Sequence, residues 1–273
     1  MGDTPEIFFH VGMGKVASTY LQYRVFPYFK GIRYVQRTNY RYAKTLIPKL
    51  SDDHILISRE FDQQMEREVK WFSEDFPDAH PIILFRRHDS WIASQYRRFT
   101  KNGFGLTFEQ FFDLENDQGY FKQKDLNFYR NIEILEQHFK HKPLVMFYDD
   151  MRKDPMAFFK RIADHCGATF DPEKISLDKK HSSYSPKQLR VIYALSRRMD
   201  IRKYQKYDAK ILNLGRRFLV NSVRYPTLFV AKFLPESWFG TEPLISKETL
   251  EKIRLTYADD WARCQSYANT QNL

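Results

Sequence analysis

A short segment near the start of the chain combines glycine, lysine and hydroxyl residues in a pattern that could bind phosphate. Residues 11–21 read VGMGKVASTYL and follow an apolar run typical of a strand. A loop that leaves a strand and opens a helix points several backbone N–H groups at one position, where an anion can bind. Lys15 adds a positive charge to this loop, and Ser18 and Thr19 add hydroxyl donors. A plain turn in which Ser18 caps the helix is the alternative interpretation.

The loop differs from that of the nucleotide triphosphatases. Their pattern, G-x-x-x-x-G-K-[ST], needs Ser or Thr directly after the lysine to hold magnesium. Here Val16 follows Lys15, and the two hydroxyl residues come three and four positions after the lysine. A P-loop-like kinase that uses ATP is therefore the less favoured alternative.

Arg86 and Ser94 form a second candidate phosphate site. Arg86 ends another apolar run, and Ser94 lies eight residues later, in the second turn of the helix predicted to follow. An arginine fork and a serine hydroxyl can converge on one phosphate from such positions. Under the alternative interpretation this segment is a solvated basic helix start, with Arg87, Arg97 and Arg98 in water.

The elements that must position these residues are predicted from apolar patterns. Apolar runs predict strands at 7–11, 54–58, 81–85 and 143–148, and helical patterns lie between them near 62–75, 89–101 and 126–140. Alternation of strands and crossover helices is typical of a mostly parallel sheet covered on both faces. We therefore predict an α/β fold.

The rest of the chain is predicted to be helical. Asp154 and Pro155 mark a helix start and Gly167 marks its end. Additional C-terminal helices are predicted near 186–200, 207–222 and 247–267. We expect a single domain over residues 1–273, with a core at about 6–190 and a helical C-terminal extension at about 186–273.

Taken together, these motifs resemble those of sulfotransferases that use 3′-phosphoadenosine 5′-phosphosulfate. That family commonly has K-x-G-[ST]-T after a buried strand, then a strand-end arginine with a helical serine eight residues later. Lys15 to Thr19 read KVAST, with Ala17 where glycine is usual. The RRHD sequence at 86–89 resembles bacterial carbohydrate-type members, and residues 144–167 are similar to a strand, acidic turn and helix found late in many such domains. The resemblance covers about residues 6–190 and implies a P-loop-like fold.

The resemblance also implies a role for each matched residue. The loop would bind the 5′-phosphosulfate end of the donor through Gly14, Lys15, Val16, Ala17, Ser18 and Thr19. Lys15 would also steady the leaving phosphate, while Arg86 and Ser94 would hold the 3′-phosphate. Lys180 and His181 belong to a basic, serine-containing segment that is expected to close over the nucleotide.

Glu60 is the candidate base that would deprotonate the acceptor. It directly follows the second predicted strand, at the rim where open α/β sheets bind ligands, and family members that act on glycans resemble this arrangement. His10, His54 and His88 are rival candidates. We expect an in-line displacement without a metal, since cationic side chains can stabilise the sulfuryl group and no metal-binding motif stands out. The product would be 3′-phosphoadenosine 5′-phosphate.

Composition limits the partners without choosing among them. A net charge of +10 suggests an anionic partner, so a nucleic-acid-binding protein is the alternative from another class. The basic residues are spread along the chain, however, and no RRM, KH, zinc or helix-turn-helix signature occurs. The resemblance favours a carbohydrate or glycolipid acceptor, sulfated on a hydroxyl or amine, and no nucleic acid.

The sequence also carries expectations about location. Only two cysteines occur, Cys166 and Cys264, which fits buried thiols in a reducing compartment. We find no signal-peptide pattern, and polar residues interrupt the apolar-leaning segment 218–234, so no transmembrane span is predicted. We therefore expect a cytoplasmic protein. The same segment, with arginine among aromatic residues, is either helix core or a contact for a lipid-linked or polymeric acceptor, which would allow peripheral membrane contact. The oligomeric state stays open.

Overall fold

The central feature of the fold is a parallel β-sheet. A computed structural model describes residues 5–177, 184–202 and 208–272. In this part of the chain five strands pair in the order β2-β3-β1-β4-β5, and all four pairings are parallel. The strands are β1 (Glu6–His10), β2 (Arg33–Val35), β3 (His54–Ser58), β4 (His80–Phe85) and β5 (Leu144–Phe147).

Helices occupy most of the remaining described residues. The α-helices are α1 (Ser18–Tyr20), α2 (Ala43–Leu46), α3 (Met65–Ser73), α4 (His88–Lys101), α5 (Phe108–Phe111), α6 (Phe128–His138), α7 (Tyr148–Lys153), α8 (Pro155–His165), α9 (Pro186–Ser196), α10 (Lys210–Val230), α11 (Lys247–Thr256) and α12 (Ala258–Asn269). A π-helical turn, Leu21–Val25, continues α1. Short 3-10 helices lie at Phe26–Tyr28, Arg37–Tyr42, Ile47–Lys49, Gln123–Leu126, Pro172–Lys174, Glu236–Phe239 and Thr270–Asn272.

The strand order creates a switch point at β1. The chain leaves β1 towards β2 and β3 on one side, and after β3 it crosses to β4 on the other side. In open α/β sheets, ligands bind outside the carboxyl ends of strands at such a point. The segments that follow β1, β3 and β4 are therefore the candidate positions for a ligand-binding site.

The chain divides into two compact units, each with its own core. The first comprises residues 1–91, 124–178 and 256–273, and contains the sheet. In its core Phe9 of β1 stacks on Phe72 of α3, with ring centroids 4.0 Å apart. The second unit comprises residues 92–123 and 179–255. Its core is formed by Leu189, Ile192, Ile201, Val220 and Leu228.

The predicted fold class is confirmed, since the structure has a parallel central sheet, flanking helices and further helices towards the C-terminus. The sequence missed β2, whose three residues carry no long apolar run. The helix predicted over 247–267 is two helices, separated at Tyr257, where the backbone leaves helical geometry (φ −103°, ψ 19°). The Asp154 side chain caps α8 as predicted, accepting a hydrogen bond from the backbone N–H of Ala157. Both cysteines are buried thiols, and the single-domain organisation stays a prediction.

Candidate functional site

The loop between β1 and α1 has the backbone of an anion-binding turn. Lys15 and Ala17 both have left-handed backbone angles, with φ of 70° and 69°. Left-handed residues within a turn are the conformation from which backbone N–H nests are built. Ala17 therefore adopts the angle that its Cβ disfavours, at a cost of about 1–2 kcal/mol relative to a relaxed residue. The Lys15 side chain is exposed at the tip of the loop.

The start of this loop requires a glycine. A Cβ on Gly12 would lie 2.5 Å from His10 Nε2 and 2.7 Å from Ser18 Oγ, too close for either atom. The backbone of the loop therefore packs directly on the side chains beneath it.

The two hydroxyl residues of the loop have different environments. Ser18 is buried, and its Oγ donates to the carbonyl oxygen of Met13 at 3.1 Å. Ala17, without a side-chain hydrogen bond, is the N-cap of α1, so the interpretation of Ser18 as the helix cap is wrong. Thr19 is exposed, and its Oγ1 donates to Glu60 Oε1 at 3.0 Å. Thus Ser18 stabilises the loop internally, while Thr19 connects it to the candidate base.

The segment after β3 is held against the loop by its backbone. The Arg59 N–H donates to the carbonyl of His10 at 2.9 Å, and the Phe61 N–H donates to the carbonyl of Gly12 at 3.2 Å. These bonds continue the β1–β3 pairing beyond the strands and fix Glu60 between them. The structure therefore brings Glu60 to the loop, as its position at the strand end predicted.

Asp62 is a second carboxylate at the loop, and the sequence analysis missed it. Its Oδ1 accepts a hydrogen bond from the Gly14 backbone N–H at 2.9 Å. The sequence feature that could have indicated Asp62 is its position four residues after the end of β3, on the same segment as Glu60.

Arg86 follows β4 and reaches the loop. Its Nη1 donates to the carbonyl of Lys15 at 3.4 Å, its Nε donates to Ser90 Oγ at 2.7 Å, and its guanidinium carbon lies 4.8 Å from the ring centroid of Tyr148. Two segments 71 positions apart therefore meet at one place. The indole of Trp91 donates from Nε1 to the carbonyl of Gly14 at 2.9 Å and connects the start of α4 to the same loop.

The contacts of Ser90, Trp91 and Tyr148 were missed by the sequence analysis. Ser90 lies four residues after Arg86, but Arg86 precedes α4, so the i,i+4 neighbour rule for helices gave no sign of the contact. The apolar pattern alone gave no sign of the hydrogen bond from Trp91 or of the packing of Tyr148.

No described contact joins the other residues predicted for the donor site to this cluster. Ser94 lies half-buried in the second turn of α4, as predicted, but within the second unit. Its role as a phosphate ligand stays a prediction. Lys180 and His181 lie outside the described residues.

The burial and the partners of the three rival histidines are typical of residues with structural roles. His10 is completely buried, its Nδ1 lies 2.7 Å from Ser58 Oγ, and burial lowers its pKa from 6.5 to about 3. His54 lies at the amino end of β3, at the opposite edge of the sheet from Glu60, where its Nε2 is 3.4 Å from Glu6. His88 is 1% exposed, with its Nε2 2.9 Å from Asp260 Oδ2. These environments favour Glu60 as the base.

Comparison with known proteins finds a family likeness over part of the chain. A family model described as "Sulfotransferase domain" matches residues 76–206. Residues 76–206 of this chain are therefore similar to a sulfotransferase domain. The match includes β4, Arg86 and α4, and it begins after the loop at 12–19 and after Glu60. The roles proposed for those two regions therefore depend on their geometry and on the motif.

A similar fold is found among solved structures. A structure described as a sulfotransferase from Alicyclobacillus acidocaldarius matches with a TM-score of 0.52 and 12% identity, covering 71% of this chain and 93% of that one. At this identity the likeness shows a common fold. No curated protein matches the chain.

Proposed function

We propose that this protein transfers a sulfuryl group from 3′-phosphoadenosine 5′-phosphosulfate to a hydroxyl or amine of a carbohydrate or glycolipid. The observation that carries the proposal is the contact between Arg86 and the carbonyl of Lys15. It unites the two motifs that the family uses for the two ends of this donor. A donor with phosphate groups at both ends needs cations at two positions, and the cluster supplies them.

The residues of the loop fit the phosphosulfate end of the donor. The left-handed turns at Lys15 and Ala17 suit a backbone nest, and the exposed Lys15 ammonium adds a full charge. When the S–O bond to the donor phosphate breaks, negative charge grows on the leaving oxygen. A cation already in place stabilises that charge without reorganisation. This is the role that we assign to Lys15, and by the same reasoning we propose a displacement without a metal.

Arg86 fits the 3′-phosphate of the donor. The hydrogen bond from its Nε to Ser90 and the ring of Tyr148 hold the guanidinium in place before any ligand arrives. A preorganised guanidinium loses less conformational entropy on binding an anion. Ser94, Lys180 and His181 are proposed as further donor contacts.

Glu60 is proposed as the base. Its carboxylate accepts a hydrogen bond from Thr19 on the loop proposed to bind the phosphosulfate, and this contact supports a position close to the attacking acceptor oxygen. Removing the acceptor proton as the new S–O bond forms keeps charge from accumulating on the nucleophile. The cytoplasmic location is likewise part of the proposal.

The test is transfer of labelled sulfate from the donor to a panel of glycans, glycolipids and phenols. We expect the Lys15→Ala variant to lose about 100-fold or more in turnover while its melting temperature stays close to that of the unmodified protein. Lys142→Ala is the matched control, because Lys142 is also exposed but lies at the amino end of β5. Equal turnover of the two variants would contradict the role of Lys15.

A ligand-induced thermal shift tests the donor independently of the acceptor. We expect 3′-phosphoadenosine 5′-phosphate to raise the melting temperature clearly more than ATP at equal concentration. The opposite ranking would instead favour a kinase.

A further inference from the structure

Helix α10 carries a long apolar face exposed to solvent. Phe218 and Phe229 of this helix are 70% and 60% exposed, and Phe233, which lies just beyond the end of the helix, is 74% exposed. The other large apolar residues exposed on this helix are Ile211, Leu212, Leu214, Leu219, Tyr225 and Val230. Contiguous exposed apolar surface of this kind marks an interaction site in most proteins that have one. The expectation that this segment is helix core is therefore wrong for one side of it.

The exposed apolar residues share one side of the helix. At 3.6 residues per turn they fall within one arc, opposite Val220 and Leu228, which are buried in the core of the second unit. With 21 residues, α10 is about 30 Å long. The helix thus presents its inner face to its own unit and a second apolar face, equally long, to solvent.

The charged residues along this helix have a single sign. Residues 209–235 contain no Asp or Glu and five basic residues. Three of the basic residues, Lys210, Arg217 and Lys232, are exposed, and the helical period places them together along one flank of the apolar arc. The Lys232 ammonium lies 5.8 Å from the centroid of the Phe229 ring, so cation and ring are direct neighbours. Trp238, in the 3-10 helix that follows, is 68% exposed.

We propose that α10 binds the surface of an anionic lipid bilayer. Apolar side chains on one arc with lysine and arginine at its border are the pattern of a helix that lies in the membrane interface. The three phenylalanine rings would enter the acyl boundary, and the cationic flank would contact head-group phosphates. Among the residues that the structure describes, no helix is both long and apolar enough to span a bilayer. The contact is therefore peripheral.

Charge decides between a lipid surface and a second copy of this chain. In a symmetric dimer through this face, each copy would meet the same cationic flank on its partner, with no carboxylate in residues 209–235 to offset it. Anionic lipid meets the same flank with opposite charge. The inference concerns a surface outside the donor site and stands independently of the proposed reaction.

The experiment measures binding of the full chain to vesicles by flotation. We expect binding to vesicles of equal parts phosphatidylcholine and phosphatidylglycerol, and much weaker binding to phosphatidylcholine alone or in molar salt. The variant Phe218→Ser/Phe229→Ser/Phe233→Ser should bind about 100-fold more weakly, since each ring loses its apolar burial. Arg217→Glu/Lys232→Glu should lose about tenfold or more on the anionic vesicles. Leu255→Ser is the matched control, because Leu255 is 65% exposed on α11.

Unchanged binding by the triple variant would overturn the proposal, as would equal binding to neutral and anionic vesicles. Absence of binding by the unmodified chain would also overturn it. A dimer that the triple variant converts to monomer, without vesicle binding, would assign the face to a second copy. Because the mutated rings are exposed, the variants should keep the unmodified melting temperature and circular dichroism.

Discussion

Substitution of Arg86 tests the proposed donor site most directly. Arg86→Ala removes the guanidinium that bonds Ser90 and reaches the carbonyl of Lys15. A hydrogen bond to a charged group contributes about 1.5–3 kcal/mol. Loss of one such bond to the 3′-phosphate should therefore weaken binding of 3′-phosphoadenosine 5′-phosphate by about 10- to 100-fold.

The same substitution has a smaller structural cost that can be separated. The variant loses the bond to Ser90 and the cation–π contact with Tyr148, which together stabilise the fold by about 1–2 kcal/mol. Arg86→Lys should fall between the unmodified protein and the alanine variant, because an ammonium keeps the charge but loses the planar fork.

Arg87→Ala is the matched control. Arg87 is adjacent in sequence and is paired with Asp89 through two bonds of 2.8 and 3.1 Å, with 41% of its side chain exposed. Exposed pairs contribute about 0–1 kcal/mol to stability, so this variant should stay folded. It should also keep nearly full affinity for the nucleotide, because Arg87 is assigned no role in the proposed donor site. Isothermal titration calorimetry with 3′-phosphoadenosine 5′-phosphate measures both constants. Equal affinity of the two alanine variants would refute the assignment of Arg86.

Three further predictions concern the base, the loop and the buried histidine. Glu60→Gln should lower kcat by about 100-fold or more without changing nucleotide affinity, and full activity would leave Glu60 with a structural role. In urea unfolding, Gly12→Ala should lose about 1–3 kcal/mol, while Ala17→Gly should gain up to about 1 kcal/mol as its left-handed strain is relieved, and the same sign for both would contradict the loop geometry. Burial lowers the pKa of His10 to about 3 in the folded protein. As the pH falls, the unfolded chain therefore binds a proton at His10 at a higher pH than the folded chain does. His10 therefore leaves the free energy of unfolding unchanged above about pH 6.5. Between about pH 6.5 and 3 it lowers the free energy of unfolding by up to about 1.4 kcal/mol for each pH unit of acidification. His10→Gln should flatten that slope between pH 7 and 5, and parallel slopes would show that His10 does not contribute.

The sheet could be predicted because four of its five strands are continuous apolar runs. β1, β3, β4 and β5 are buried along most of their length, which makes each run visible in the sequence. The edge strand β2 is partly exposed and only three residues long, so no run indicates it. Pro226 is another exception, since the helix predicted near 207–222 continues through it to Val230. It lies inside α10 but is exposed, so the carbonyl left without a helical partner is on the solvent side and the helix continues.

The site could be predicted only as far as topology determines it. Parallel strands end at one edge of the sheet, so residues that directly follow strands, such as Lys15 in the first loop, Glu60 and Arg86, had to lie near one another. The hydrogen bonds that join them, such as that between Gly14 and Asp62, depend on strand register and on the path of the loop. Neither follows from residue types. Ser90 was missed for a related reason, because only the observed start of α4 puts its hydroxyl beside Arg86.

The C-terminal helix α12 supports the proposed donor site. Its Asp260 accepts hydrogen bonds from the backbone N–H groups of Phe128 and Tyr129 at the start of α6, and lies 2.9 Å from His88 Nε2. His88 opens α4, two residues after Arg86, and its ring stacks on Phe128 with centroids 4.0 Å apart. One carboxylate therefore fixes the starts of two helices beside the end of β4. A guanidinium that is proposed to bind phosphate through its planar fork depends on such support, so α12 is part of the scaffold that positions Arg86.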